Sequence, residues 1–196
     1  IRVQREGDAA WHIGLTEVHQ QRDSHYRSFA LSMGSHLARH NLHTRLQGEN
    51  VESLLYGLYL TRGDQLADTH SAIFHDQPHC NSWEVYKGVL GDRSRAVFNG
   101  KVLVDSIAQK TDAQQTNRNL LLSDQAKVDT KPQLEIFADD VRCTPGATVG
   151  PSSEEQLYSL RSRGIAVQQA EPLLLSPFPA EGRTDIHDPP WHAPLN

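Results

Sequence analysis

Apolar residues along this chain come in brief runs, and almost every gap between runs holds a turn former. The runs are Phe29–Met33, Leu37–Leu46, Leu54–Leu60, Leu66–Phe74, Trp83–Leu90, Ala96–Val104, Leu134–Phe137 and Val141–Thr144. Between them stand Gly34-Ser35, Gly48-Glu49-Asn50, Arg62-Gly63-Asp64, Asp76-Gln77-Pro78, Gly91-Asp92, Asn99-Gly100 and Asp139-Asp140. Short runs with this punctuation predict an all-β chain. Many of them place polar residues on one face and small or branched residues on the other, the pattern of half-buried strands. The first stretch, to about Asp23, includes Trp11-His12-Ile13 and predicts a further strand or two. Asn99-Gly100 is the strongest hairpin-type signal, and the same step suits a tight solenoid corner. Periodicity alone leaves sandwich, barrel and parallel β-helix open, and no repeat of fixed period is visible.

Two segments depart from this pattern. Ile107–Leu122 is rich in Gln and Asn and poor in Gly and Pro. It reads as a partly helical excursion from the sheet that ends in Leu120-Leu121-Leu122. From Ser152 the chemistry changes again. Ser152 or Ser153 can cap a helix whose first turn, Glu154, Glu155 and Gln156, offsets the helix dipole. Leu157, Leu160 and Ile165 give that helix an apolar side, and Gly164 can stop it. Glu171–Asn196 carries Pro at 172, 177, 179, 189, 190 and 194, a density no stable helix tolerates. The expected organisation is a β core over residues 1–150, followed over 151–196 by a short helix and a Pro-rich irregular tail.

Composition narrows the function classes. Only 37% of the 196 residues are hydrophobic, which a solenoid with a narrow interior tolerates better than a deep globular core. A net charge of −5, with Lys and Arg dispersed, argues against a nucleic-acid partner or a membrane surface. No apolar run approaches the ~18 residues of a bilayer span. Two cysteines, Cys80 and Cys143, are too few for a disulfide framework and fit a reducing compartment, hence a cytoplasmic location. The chain opens on Ile1 without Met, as a fragment of a longer protein would.

Candidate chemistry is sparse. Two clusters invite a metal reading: His36, His40 and His43, and His70, His75, His79 and Cys80. His36 and His40 have the spacing of a zinc pair on a helix, but no His-Glu-x-x-His occurs, and Gly34 and Leu42–Leu46 favour a strand. The second cluster matches no standard finger, so surface and turn histidines are the simpler account. No Gly-x-Ser-x-Gly elbow, phosphate-cradling loop or Cys-x-x-Cys occurs. Asp139 and Asp140 are adjacent and would point to opposite faces of a strand, so a turn is expected there. Cys143 lies on a short predicted strand just before Gly146. A thiol there can become a soft ligand for iron or zinc once deprotonated, although a free Cys is more often a small buried hydrophobe. Cys143 is the one candidate metal residue carried forward, and no catalytic residue is assigned.

A series of segments resembles the core proteins of the Suf iron–sulfur cluster assembly machinery, the SufB/SufD family. They include Tyr86–Leu90, Arg95–Gly100, Gln109–Ala113, Asn119–Ser123, Val128–Ile136, Ala138–Cys143, Gly146–Gly150 and Leu160–Ile165. Asp23–Phe29, Leu46–Asn50 and Leu66–Cys80 are similar to the SufD branch rather than to SufB. The resemblance implies a right-handed parallel β-helix followed by a helical domain, here short and truncated. It implies a non-catalytic scaffold that pairs with SufB through the β-helix and takes part in iron acquisition. The SufC ATPase would dock on the helical domain, a contact weakened or lost with that domain's truncation. No tightly bound cofactor is implied, only transient iron or an iron–sulfur cluster at the partner interface. For a photosynthetic eukaryote the location would be the plastid stroma. Where the family's segment usually reads Cys-Thr/Ser-His-Gly-Ala-Thr, this chain has Pro145 at the His position. That departure, with the tail prolines, suggests an impaired or decayed copy. The alternative reading is a stand-alone metal-binding β-helix protein using His70–Cys80 and Cys143.

Overall fold

The computed structural model describes residues 1–151, and every regular element in them is a β-strand. In chain order these are β1 Arg2–Glu6, β2 Trp11–Gln20, β3 His25–Gly34, β4 Leu37–Leu46, β5 Glu52–Thr61 and β6 Leu66–His75. They continue as β7 Asn81–Leu90, β8 Arg95–Val104, β9 Asp112–Leu121, β10 Lys127–Ile136 and β11 Arg142–Pro151. Odd-numbered strands form a six-stranded sheet and even-numbered strands a five-stranded sheet, with neighbours in each two apart in sequence order. All pairs are parallel. The chain therefore crosses to the opposite wall at each corner and returns one strand further along. That is a parallel β-helix. Strands joined by tight hairpins would instead pair antiparallel. Residues 1–151 form one compact unit. The expected helix after Ser152 and the Pro-rich tail lie outside the described residues.

Register explains why no repeat shows in the sequence. His25 stands beside Glu52, Glu52 beside Asn81, Asn81 beside Asp112 and Asp112 beside Arg142, steps of 27, 29, 31 and 30 residues. In the other wall Trp11, Leu37, Leu66, Arg95 and Lys127 form one row, with steps of 26, 29, 29 and 32. Corners of unequal length absorb the variation, so the period exists in space and not along the chain.

One line of corners also repeats a backbone conformation. Asp23, Asn50, His79 and Lys110 each stand two residues before a strand of the six-stranded wall, and each has φ between 56° and 62°. Asp, Asn and His tolerate this left-handed region better than most residues. Asn50 Nδ2 donates to Asp23 Oδ1 at 2.8 Å, and the His79 amide donates to the Gln109 carbonyl at 2.9 Å. Lys110, the least suited of the four, forms an ion pair with Asp140, and its amide donates to the Asp140 carbonyl at 2.7 Å. Asp139-Asp140 is a turn, as its sequence predicts.

Two expectations fail in the middle of the chain. The supposed excursion at 107–122 contains β9, a full wall strand, and Asn99-Gly100 lies within β8 rather than in a turn. Both failures come from polar residues inside the helix. Buried Gln115, Asn117 and Asn119 of β9 face the lumen. Gly100 also faces inward, and a Cβ there would stand 2.8 Å from Gln115 Cδ and 2.9 Å from Phe98 Cε1. Asn99 points outward, where Gln133 Nε2 donates to its Oδ1 at 3.2 Å.

The interior holds two apolar clusters. One gathers Leu42, Leu46, Leu55, Ile73, Val102 and Val104; the other gathers Tyr59, Ala67, Tyr86, Leu90, Ala96 and Phe98. The second is organised by a pair of tyrosines and glycines on adjacent strands. Gly57 stands beside Tyr86, and Tyr59 beside Gly88. The Tyr86 ring lies over Gly57, whose added Cβ would come within 2.7 Å of Tyr86 Cζ and closer still to Cδ1 and Cε1. The Tyr59 ring lies over Gly88 in the opposite direction, with the same 2.7 Å approach to its Cζ. There its hydroxyl donates to Asn119 Oδ1 and accepts from Asn117 Nδ2 at 3.1 Å. Asn119 Nδ2 in turn donates to Asn117 Oδ1 at 2.6 Å. Each ring thus occupies space that a glycine one coil away leaves free.

This packing predicts a pairwise effect. Gly57→Ala should lower stability by about 1–3 kcal/mol, the usual cost of overpacking, as measured by urea unfolding. In a Tyr86→Leu background the same substitution should cost much less, because the obstructing ring is gone. Equal costs in the two backgrounds would contradict the arrangement.

Candidate functional site

Cys143 stands on β11, the end strand of the six-stranded wall, beside Ala113 of β9. Alternation along β11 turns Cys143, Pro145, Ala147 and Val149 toward the lumen side, because their register partners Ala113, Gln115, Asn117 and Asn119 face inward. The Cys143 thiol is half-buried against the apolar cluster that includes Ala113 and Ala138. Burial raises its pKa above the ordinary thiol value, only partly offset by a backbone hydrogen bond from Ala113. At neutral pH it is therefore a thiol, and a metal would have to displace its proton to bind.

Pro145 extends a lumen row that runs from Glu84 through Gln115. Gln115 Nε2 donates to Glu84 Oε2 at 2.7 Å, whereas Gln115 Oε1 and Glu84 Oε1 are buried without a hydrogen-bond partner. Proline offers neither a side-chain donor nor an amide hydrogen to answer Gln115. Its place on an end strand makes it tolerable in the ladder. Among the described residues β10 and β11 each pair on one side only, and the last coil exposes Ile136, Phe137 and Val149.

The histidine clusters do not converge. His36 sits at a corner, and the inward parity of β4 buries His40 while turning His43 outward. His43 faces Glu17 across the sheet at 3.5 Å. In the second cluster His70 lies on the outer face, paired with Asp68 at 2.8 Å, and His75 is fully buried. His79 fills a left-handed corner position. Cys80 is buried, and its thiol donates to the carbonyls of Gly48 and Pro78 at 3.2 and 3.4 Å. The geometry therefore disperses the ligands of the stand-alone metal reading. No group of three or more His, Cys, Asp or Glu positioned to hold a metal ion occurs among the described residues.

Sequence reasoning missed Glu84, and it read His75 only as a member of a metal cluster rather than as a buried lumen group. Glu84 lies mid-strand, and burial raises its pKa above the ordinary carboxyl value. His75 reaches across the lumen, with Nε2 2.9 Å from Ser82 Oγ, and burial lowers its pKa to about 4. The only signal in the sequence is their parity, shared with the buried residues of the same strands.

These groups give opposite pH dependences. Between pH 6.5 and 4 the unfolded chain protonates His75 while the fold keeps it neutral, so its contribution falls as pH drops, by about 3 kcal/mol in all. Glu84 acts in the other sense. The fold binds its proton first, so its cost is present at high pH and is relieved on acidification. Glu84→Gln should therefore stabilise the protein at pH 8 and give no gain near pH 4. His75→Asn should remove part of the acid-side loss. Urea unfolding as a function of pH measures both, and slopes of reversed sign would refute the assignment.

Known proteins place this architecture. The family model for the SUF system FeS cluster assembly, SufBD core domain, matches residues 1–178. The chain is 40% identical over 181 residues to the iron–sulfur cluster assembly SufBD family protein slr0076 of Synechocystis sp., covering 92% of this chain and 40% of that protein. It is 40% identical over 188 residues to the iron–sulfur cluster assembly protein SufD of Escherichia coli, covering 96% and 44%. Protein ABCI7, chloroplastic, of Arabidopsis thaliana is 38% identical over 180 residues, covering 91% and 38%. The chain thus spans less than half the length of these relatives. By the family match over most of its length, and by the identity to SufD proteins, the chain belongs to the SufB/SufD family of iron–sulfur cluster assembly proteins.

Proposed function

We propose that this chain is the β-helix core of a SufD-type subunit, a non-catalytic scaffold that pairs with SufB in iron–sulfur cluster assembly. The observation that carries the reading is the match to the SufBD core domain over residues 1–178. The open last coil supports it. Among the described residues, edge strands β10 and β11 offer unpaired backbone groups beside exposed Ile136, Phe137 and Val149, a surface suited to extension by a partner's strands. Iron or a nascent cluster is cargo at that interface, with Cys143 as this chain's candidate ligand. A scaffold role also suits Glu84 and His75, which the lumen shuts away from any substrate. SufC would engage the region after residue 151. The relatives named above are bacterial or chloroplastic, which supports a cytoplasmic or plastid-stromal setting.

The primary test is co-expression with the SufB of the same organism. A complex that co-elutes on size exclusion is expected, and separate elution at micromolar concentration would sink the proposal. Pro145→His provides a second test in a strain lacking its own SufD, in a version carrying a complete helical region. Cluster assembly should improve over the Pro145 chain, because an imidazole there supplies a ligand and lies next in the row to Gln115. Equal assembly by both chains would mean that position 145 does not limit the activity.

A further inference from the structure

Among the described residues, the lumen between the first coils contains a positive charge with no ion-pair partner. Arg2 of β1 stands beside Ala30, Ala30 beside Gly57, and Gly57 beside Tyr86, so these four form one inward row. With no side chain at Gly57 and only a methyl at Ala30, the Tyr86 ring extends along the row toward Arg2. Its hydroxyl is fully buried and has no hydrogen-bond partner. Arg2 reaches across the lumen to the opposite wall. A Cβ built on Gly14 would stand 3.6 Å from Arg2 Nη2, 3.5 Å from His12 Nε2 and 3.8 Å from His40 Cδ2. A small cavity lies among these groups, lined by Arg2, Ser32, His40, Thr69 and Tyr86 and by the small side chains of Ala30 and Ala38.

The nearest carboxylate is already engaged, and so are two of the polar groups around the cavity. Arg2 makes no ion pair among the described residues. Glu6, the carboxylate whose field it feels, is held by His12 Nδ1 at 2.7 Å and by Ser35 Oγ at 3.1 Å. Ser32 Oγ donates to Gln4 Oε1 at 2.7 Å. His40 Nε2 lies 3.2 Å from Thr16 Oγ1. Burial, with the positive fields of Arg2 and His12, lowers the His40 pKa to about 4. Burial also keeps Tyr86 a protonated phenol, hence a donor. A water could answer the Tyr86 hydroxyl. An anion would answer the hydroxyl and also oppose the charge of the partly buried guanidinium, which a neutral water does not do.

We propose that this cavity binds one small monovalent anion of halide size, held by the Arg2 guanidinium and the Tyr86 hydroxyl. The space is about the size of one water, which favours a single small ion over sulfate, phosphate or a carboxylate. The ligand ties β1 to β7 across the small residues of the intervening strands, so it should stabilise the first coils.

Thermal unfolding of the full chain at constant ionic strength, with sodium gluconate replaced stepwise by sodium chloride or bromide, tests this. Halide should raise the midpoint by about 3 °C when it is in roughly tenfold excess over its dissociation constant. Tyr86→Phe keeps the ring over Gly57 and removes only the hydroxyl. It should leave the midpoint in gluconate nearly unchanged and weaken the halide response at least tenfold. Arg2→Gln should abolish the response; if that variant does not fold, Tyr86→Phe decides alone. A wild-type midpoint that is the same in halide and gluconate overturns the proposal, as does a full response in Tyr86→Phe. Bromide-soaked crystals should show an anomalous peak between Arg2 and the Tyr86 hydroxyl. A water there without anomalous signal would equally overturn it.

Discussion

Everything in this β-helix depends on one constraint: a side chain in the lumen shares its space with the residues one coil before and one coil after it. Parallel strands stack ~4.8 Å apart, less than the length of an aromatic ring with its hydroxyl. A tyrosine pointing inward must therefore lie along its row, and the row must leave room for it. Gly57 does so for Tyr86, and Gly88 for Tyr59. The two rings point in opposite directions and set the chemistry on either side. Toward the later coils Tyr59 anchors the hydrogen-bonded pair Asn117 and Asn119. Toward the first coils Tyr86 ends without a partner, beside Arg2.

The same constraint explains how so polar an interior is tolerated. Ser53, Ser82, Glu84, Gln115 and His75 are all fully or almost fully buried. In an apolar core, Glu84 or His75 would cost several kcal/mol if charged. Here Glu84 and His75 are pushed toward their neutral forms, and each meets a neutral partner, Gln115 and Ser82 respectively. Neutral pairs avoid most of the cost of burying charge. The lumen is consequently a wall-bracing structure, and its ionisable groups shape the pH dependence of stability.

Much of this was legible in the sequence, but unevenly. Leu37–Leu46 reads as one apolar run and is β4 to the residue, and the turn signals at Gly48–Asn50, Arg62–Asp64, Asp76–Pro78 and Gly91-Asp92 all fall at corners. Strand β9 was not legible, because its inward residues are Gln and Asn, whose partners come from coils some 30 to 60 residues earlier. Asn99-Gly100 misled because a glycine absent of side chain for turning and one absent for packing look alike in sequence. Parallel pairing was hidden by corners of unequal length, and only family resemblance singled out the β-helix. Cys143 was visible as a thiol on a strand, but its inward parity and raised pKa depend on its register with Ala113.

The row constraint also carries over to the open end of the helix. Each earlier coil has a neighbour on both sides to complete its rows, whereas among the described residues β11 has one only on the side of β9. Cys143, Pro145, Ala147 and Val149 therefore face a row position that no described strand fills. A partner strand added there would meet those side chains by the same rule that sets Tyr86 over Gly57. The occupant of position 145 would then matter on both sides, toward Gln115 within the chain and toward the added strand beyond it. Proline leaves Gln115 Oε1 without an answer and gives the partner no side-chain donor or ligand. It still permits strand addition, because β11 keeps amides and carbonyls at its other positions. Under the proposed role, pairing and cargo handling would be separable in this fold: the first would rest on the backbone edge, the second on the few side chains that edge presents.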